Sequence, residues 1–185
     1  MPLALRLENW AAGLDRFTEI VGRLAAWTGF ALVLVMAGNV LMRYGFRTGS
    51  VALQELEWHL MAPVSLLCIA YAIKHDGHVR VDILYGRMSP RAQAWIDLAS
   101  CLVALALCVI IIWLSLPYVM QSYDNGEGSP DPGGLPYRFI LKATIPLGFA
   151  LLAVQSLASV FRALVPVIPG SAASHPAPGI VNVTE

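Results

Sequence analysis

The side chains that could do chemistry in this chain are few, and they lie near the ends of apolar stretches. Glu55 and Glu57 stand two residues apart, and His75 and His78 flank Asp76 further along. Residues two apart on a helix point in different directions, so the glutamates do not form a catalytic carboxylate pair. The histidines offer too few ligands for a metal ion without support from cysteines. The pattern therefore predicts no catalytic or metal centre.

Haem binding by facing histidines is a further chemistry available to helical membrane proteins. The histidines of this chain are His59, His75, His78 and His175. Those within residues 59–78 stand at the two ends of one apolar stretch, and the other stretches contain no histidine to serve as a second axial ligand. The cysteines all lie inside apolar stretches, without a thiol-exchange motif: Cys68, Cys101 and Cys108. We therefore expect no cofactor.

The elements that must position these side chains are apolar stretches long enough to cross a bilayer. They cover about 24–42, 55–73, 95–119 and 143–164. A hydrocarbon core of ~30 Å requires roughly 20 helical residues. Hydrophobic residues make up 57% of the chain and charged residues 13%, about half the charged share of a soluble domain. The sequence predicts an all-α integral membrane protein with four transmembrane helices within residues 24–165.

The two ends of the chain differ in character from this membrane domain. In residues 1–23, apolar side chains recur at steps of three and four and form one helical stripe: Leu3, Leu7, Trp10, Leu14, Phe17 and Val21. We expect an amphipathic helix that lies on the inner membrane surface. Residues 166–185 are rich in Pro, Ala and Ser, and we expect them to be a disordered tail.

The distribution of basic residues predicts the orientation in the membrane. The side that holds both termini carries eight Lys and Arg residues, and the opposite side carries four. Basic residues favour the cytoplasmic side, so both termini should be cytoplasmic. The formal net charge is +0, which leaves no basic face for nucleic acid. No Asp, Lys or Arg falls in the middle of a predicted span, so the chain by itself does not look like a pump or pore.

Several helix boundaries and contacts can also be predicted. Ser50 should cap the second helix, and Ser89 with Pro90 should open the third. The third helix is longer than a hydrocarbon core and should protrude from the membrane, tilt or break, with Pro117 as the expected place of a break. The amides inside the spans, Asn39 and Gln155, should hold helices together rather than bind a ligand.

The outer loop at residues 124–138 has a composition that excludes regular secondary structure. Its string from Pro132 to Tyr137, which includes Gly133 and Gly134, is stiff enough to suggest a defined shape.

The order of motifs around the spans resembles the small membrane subunit of tripartite ATP-independent periplasmic (TRAP) transporters, the DctQ-like family. The matching motifs are Arg43-Tyr44, Glu55-Leu56-Glu57-Trp58-His59-Leu60, Ala70-Tyr71-Ala72, His78-Val79-Arg80-Val81-Asp82, Ser89-Pro90-Arg91, and Glu127 with Ser129-Pro130. The resemblance covers roughly residues 15–165. It implies a bacterial inner-membrane protein that works with a large TRAP membrane subunit and a periplasmic substrate-binding protein.

The resemblance also implies a function. The small permease subunit would be a scaffold in a sodium-driven transporter that imports an organic anion, with a carboxylate as the first candidate. It would be neither an enzyme nor the substrate site. The alternative is a haem-free anchor or electron-transfer subunit of another membrane complex.

Roles for individual residues follow only from the resemblance. Candidates for outer-side contacts with partners are Arg43, Tyr44, Glu55 and Glu57, together with the loop residues Pro132, Gly133 and Gly134. Candidates for organising the inner loop are His78, Arg80 and Asp82. For each of them, a purely local role at the end of a span is the alternative.

Overall fold

The structure, a computed structural model, describes residues 2–75, 77 and 85–167. Four helices account for most of them: α1 Pro2–Gly45, α2 Val51–Lys74, α3 Pro90–Asp124 and α4 Phe139–Leu164. A 3-10 turn, Val165–Val167, follows α4, and the described residues contain no strand. Each helix is long and apolar enough to cross a membrane. The prediction of an all-helical protein with four spanning helices is confirmed.

The sequence signals at the helix starts act as predicted. The Ser50 hydroxyl accepts a hydrogen bond from the Leu53 N–H at 3.3 Å, and the Ser89 hydroxyl accepts one from Ala92 N–H at 3.3 Å. Each bond satisfies an N–H that the first turn of a helix leaves without a backbone partner. The start of α3 is braced further, because the Tyr85 hydroxyl donates to Asp97 at 2.6 Å.

The predicted break at Pro117 is wrong, because α3 continues through this residue to Asp124. A proline removes only one backbone donor from a helix. The helical turns before and after Pro117 are retained, so the helix is continuous. Pro63 and Pro146 likewise lie inside α2 and α4. Transmembrane helices tolerate internal prolines in this way.

The expected surface helix over residues 1–23 is not a separate element. Helix α1 has 44 residues and is therefore about 66 Å long at 1.5 Å per residue, roughly twice a hydrocarbon core. Small and polar side chains of its N-terminal half are the buried ones, with Ala11 2% and Thr18 0% exposed. Of the predicted apolar stripe, Trp10 and Phe17 are 68% and 52% exposed, whereas Leu7, Leu14 and Val21 are half-buried. Without a proline to interrupt it, the helix simply continues.

Helix α4 lies at the centre of the fold and packs against each of the other three helices. Glycines allow the closest approaches. A Cβ added at Gly148 on α4 would lie 2.6 Å from the Leu66 Cβ on α2, and one at Gly22 on α1 would lie 2.5 Å from the Tyr71 ring. Helix α1 pairs with α2 and α4, and α3 packs chiefly on α4.

The outer surface of the helices is apolar. The tryptophans are between 61% and 72% exposed: Trp10, Trp27, Trp58, Trp95 and Trp113. Such a surface suits lipid or an apolar protein neighbour, whereas the contacts between helices are made by small and polar residues, as is usual in membranes.

Candidate functional site

The carboxylate of Glu55, one turn into α2, holds the loop between α3 and α4. It accepts a hydrogen bond from the Ser129 hydroxyl and a second from the Leu135 N–H at 2.6 Å. The Ser129 N–H in turn donates to the Leu135 carbonyl at 3.0 Å. We call these three residues the Glu55 clamp. A carboxylate is favoured near the positive end of a helix, and here it joins α2 to a loop more than 70 residues further along the chain.

The Pro/Gly string of the loop forms a defined turn inside this clamp. The Gly134 N–H donates to the Asp131 carbonyl at 3.0 Å, and Gly133 has φ +81°. Proline followed by a glycine with positive φ is the signature of a type II turn. A Cβ at Gly134 would lie 2.8 Å from a carboxylate oxygen of Glu55, so only glycine fits beneath the clamp. The loop has a defined shape, as the composition suggested.

A second carboxylate, Glu127, joins α3 to α4. It accepts from the Ser122 hydroxyl at 2.7 Å and forms an ion pair with Lys142. The Lys142 ammonium also lies 4.0 Å from the centre of the Tyr118 ring, a cation–π contact. The Lys142 ammonium, followed by the Ser122 hydroxyl, lowers the pKa of Glu127, and Glu127 raises the pKa of Lys142. We call this group the Glu127 clamp.

Glu57 and Asn39 connect the first two helices close to the Glu55 clamp. The Asn39 amide donates to the Glu57 carboxylate at 2.8 Å. Arg43 and Tyr44, in the last turn of α1, are exposed, and Tyr44 is 79% exposed. Neither makes a hydrogen bond or ion pair with another side chain among the described residues. The structure thus builds Glu55 and Glu57 into internal contacts and leaves Arg43 and Tyr44 on the surface.

A small cavity lies under the loop, next to the Glu55 clamp. Its volume is about 20 Å³, which is room for about one water molecule and far less than the roughly 300–1,000 Å³ of a small-molecule site. It is lined by Glu55, Trp58, His59, Ser129, Leu135, Arg138 and Leu141. The cavity therefore does not offer space for a transported solute.

Away from the two clamps, where α2 ends, the carboxylate of Glu19 contacts two cationic side chains and a histidine. It accepts from Arg23 at 2.8 Å, from Lys74 at 2.5 Å and from His75 at 3.0 Å. We call these residues the Glu19 cluster. The bonds from Lys74 and then His75 lower the pKa of Glu19 to about 2. The Tyr71 ring lies 4.4 Å from the His75 ring and supports it.

Asp15 makes a parallel connection between α1 and α4. Its carboxylate accepts from the Gln155 amide at 3.0 Å and from the Arg162 guanidinium at 2.9 Å. Gln155 is 0% exposed. The prediction that Asn39 and Gln155 hold helices together is confirmed. The roles of Asp15 and Glu19 escaped the sequence reasoning, and their position off the apolar stripe of α1 was the available signal.

His78, Arg80 and Asp82 lie outside the described residues. Within the part of the chain that the structure describes, no group of three or more His, Cys, Asp or Glu side chains could hold a metal ion. The cysteines of the described helices are not joined by disulfides. Polar chemistry in the described residues is thus concentrated in contacts between elements at the two ends of the helices.

Comparison with known proteins decides the family. Residues 32–165 match the family model described as "Tripartite ATP-independent periplasmic transporters, DctQ component". The chain belongs to this family. The DctQ family comprises permease subunits of transporters, so the chain is a small permease subunit of a TRAP secondary transporter and is not an enzyme. Four apolar helices and this membership make it a multi-pass inner-membrane protein.

Relatives of this DctQ subunit come from several bacteria. It is 26% identical to the ectoine TRAP transporter small permease protein TeaB of Halomonas elongata, over 82% of this chain and 79% of the relative. It is 25% identical to the C4-dicarboxylate TRAP transporter small permease protein DctQ of Vibrio cholerae, over 81% of this chain and 74% of the relative.

A third relative is much longer than this DctQ subunit. The chain is 30% identical to the isethionate TRAP transporter permease protein DctMQ of Oleidesulfovibrio alaskensis, over 69% of this chain. The matched region spans only 21% of that relative's length.

Proposed function

We propose that this chain is the scaffold subunit of a sodium-driven TRAP transporter that imports an organic anion, and that a carboxylate is the first candidate for the substrate. In this role it assembles with a large membrane subunit, which moves the solute, and with a periplasmic substrate-binding protein. The names of the relatives include ectoine, isethionate and C4-dicarboxylates, so membership of the family alone does not select one substrate.

The scaffold role is supported by one observation: the polar side chains of this chain bond to one another and fix its own helices. Five carboxylates of the described residues bond to other elements of the same chain: Asp15, Glu19, Glu55, Glu57 and Glu127. A transport site in a membrane protein needs ionisable or unwound polar groups that face a cavity. A chain that uses its polar groups to fix its own helices supports a static role.

Association with a large subunit is supported by the shape and surface of the chain. Helix α1 leaves most of its apolar residues exposed, and most apolar residues of α2 are only half-buried, with Trp58 and Met61 exposed. The isethionate relative, whose name joins the M and Q components, is a single chain of which the match covers 21%. If the two components are one chain in a relative, they lie side by side there. We therefore expect the corresponding separate subunits to form a stable contact.

The orientation we propose places both termini in the cytoplasm. The Glu55 and Glu127 clamps then lie on the periplasmic side, where Arg43 and Tyr44 are available to the large subunit and to the binding protein. The Glu19 cluster lies on the cytoplasmic side, where His78, Arg80 and Asp82 would organise the connection between α2 and α3. Reporter fusions at the C-terminus and in the loop at residues 125–138 test this orientation.

Co-purification tests the proposed assembly. Tagged chain, expressed together with the large subunit and the binding protein, should retain the large subunit in detergent. Arg43→Ala and Glu55→Ala should lower both the retained large subunit and solute uptake, while the affinity of the binding protein for its substrate stays unchanged.

The matched control for Glu55 is Gln54→Ala, because Gln54 is exposed on the adjacent position of the same helix. This control should keep wild-type uptake. A wild-type chain that is recovered without the large subunit, yet in cells that transport normally, would contradict the proposal.

A further inference from the structure

The Glu19 cluster carries more positive charge than its carboxylate neutralises. Glu19 contributes one negative charge, whereas Arg23 and Lys74 are both cationic and His75 adds a third charge when protonated. The side chain of Arg23 is 75% exposed and that of His75 is 49% exposed. Only the Nε–H of Arg23 is bonded to Glu19, which leaves the terminal guanidinium nitrogens for another acceptor.

The position of the Glu19 cluster at the ends of the apolar stretches indicates which kind of acceptor could bind the free nitrogens of Arg23. Arg23 directly precedes the charge-free stretch of α1 that begins at Leu24, and Lys74 directly follows the apolar part of α2 that ends at Ile73. Two helices that run in opposite directions therefore bring their cations to one level, where an apolar span meets water. This is the level of lipid headgroups, and basic groups between transmembrane helices at this level favour acidic phospholipids.

An exposed apolar surface continues from the cluster towards the middle of the span. Trp27 lies one helical turn beyond Arg23 on the same face and is 69% exposed, and the neighbouring Leu24 is 63% exposed. The ring of Phe30, itself 56% exposed, stands edge-on to the Trp27 indole at 5.9 Å. An acyl chain attached to a headgroup at Arg23 would therefore run along an aromatic surface.

We propose that the Glu19 cluster binds the phosphate of an acidic phospholipid such as phosphatidylglycerol. The free terminal nitrogens of the Arg23 guanidinium supply exposed donors to the phosphate, and Lys74 adds positive charge behind them. Glu19 holds Arg23, Lys74 and His75 in place, so that these side chains need not be ordered when the lipid arrives. The apolar surface of Trp27 favours a lipid over free phosphate, because an acyl chain can pack on this surface and inorganic phosphate cannot. This inference does not depend on what the transporter carries.

Native mass spectrometry of the full-length chain in neutral detergent tests the proposal. The chain is mixed with equal amounts of phosphatidylglycerol and phosphatidylcholine, and the ratio of the two retained lipids is measured. The wild type should prefer phosphatidylglycerol. Arg23→Ala should lower that preference about fivefold, the factor expected for one basic residue at a membrane surface.

The control variant is Arg91→Ala, which removes another exposed arginine, at the start of α3. It should keep the wild-type ratio. Arg23 is exposed and its side chain bonds within its own helix, so Arg23→Ala should elute as the wild type does in size exclusion. Equal retention of the two lipids by the wild type would overturn the proposal, and so would an equal loss in the two variants.

Two further measurements separate a lipid from free phosphate. Millimolar inorganic phosphate should fail to displace phosphatidylglycerol, and displacement would instead assign the cluster to a free anion. Phosphatidylglycerol with brominated acyl chains should quench tryptophan fluorescence more in the wild type than in Trp27→Phe. Equal quenching in these two proteins would overturn the placement of the acyl chain.

Discussion

Replacing Gly148 by alanine tests the central packing of the fold, where α4 crosses α2. The new Cβ would lie 2.6 Å from the Leu66 Cβ and 3.2 Å from its backbone carbonyl group. The backbone of Leu66 cannot rotate away as a flexible side chain would, so the helices must separate by up to about 1 Å. Overpacking of this kind costs about 1–3 kcal/mol. Alanine in place of glycine in a helix returns about 0.5–1 kcal/mol.

Gly13→Ala is the matched control, because Gly13 lies in helix α1 and nothing stands within 4 Å of its added Cβ. Gly13→Ala stabilises its helix by the same amount as Gly148→Ala does, and it introduces no steric clash. The difference between the two variants isolates the packing cost of about 2 kcal/mol, which for a chain of this length corresponds to about 4–8 °C in Tm.

The assay is the loss of monodisperse protein after heating, followed by fluorescence-detected size exclusion in one detergent. Gly148→Ala should melt below wild type, and Gly13→Ala at or above it. A Gly148→Ala protein as stable as the Gly13→Ala protein would show that α2 and α4 do not approach as closely as described.

Three further predictions concern the polar contacts. Gly134→Ala should open the loop at residues 125–138 to proteinase K, which cleaves without a need for Lys or Arg, and should reduce uptake; Gly128→Ala, whose nearest neighbour is the Pro136 Cα at 4.0 Å, should do neither, and equal cleavage of the two variants would refute the clamp. Because the pKa of Glu127 is lowered from 4.5, its contribution to stability is complete above pH 4.5 and is lost as the pH falls further. The Tm difference between wild type and Glu127→Gln should therefore shrink below pH 4.5, and a constant difference would argue against the ion pair. Gln155→Leu should lower the Tm by a few degrees, because it removes a buried hydrogen bond to Asp15 worth about 1–2 kcal/mol; an unchanged Tm would contradict that contact.

The helices could be predicted because lipid imposes length and composition on any segment that crosses it. The caps at Ser50 and Ser89 depend on equally local contacts, so they could be predicted as well. The apolar stripe of the first 23 residues indicates a helix, but it does not show that this helix is continuous with the first span. The same stripe arises whether a helix lies on the membrane surface or continues into the span, and no proline separates the two segments. The stripe also does not reveal that Ala11 and Thr18, which lie off it, are buried.

The sites were harder to predict than the helices. Glu55 stood out from its place near a helix start, and the stiffness of the Pro/Gly string suggested a shape. Neither observation identifies their contact, because it joins residues more than 70 positions apart. The same holds for Asp15 and Gln155, which are 140 positions apart. Residue types and local spacing show that a side chain needs a partner, and only the packing of the helices shows which partner it finds.

Uptake into proteoliposomes tests most directly whether this chain is a scaffold rather than a carrier. The purified chain, the large membrane subunit and the binding protein are reconstituted singly and together, and uptake of radiolabelled organic anion is followed under a sodium gradient. We expect uptake only when the three components are present, and none from vesicles that hold this chain with the binding protein alone. Sustained uptake by those vesicles would contradict the account.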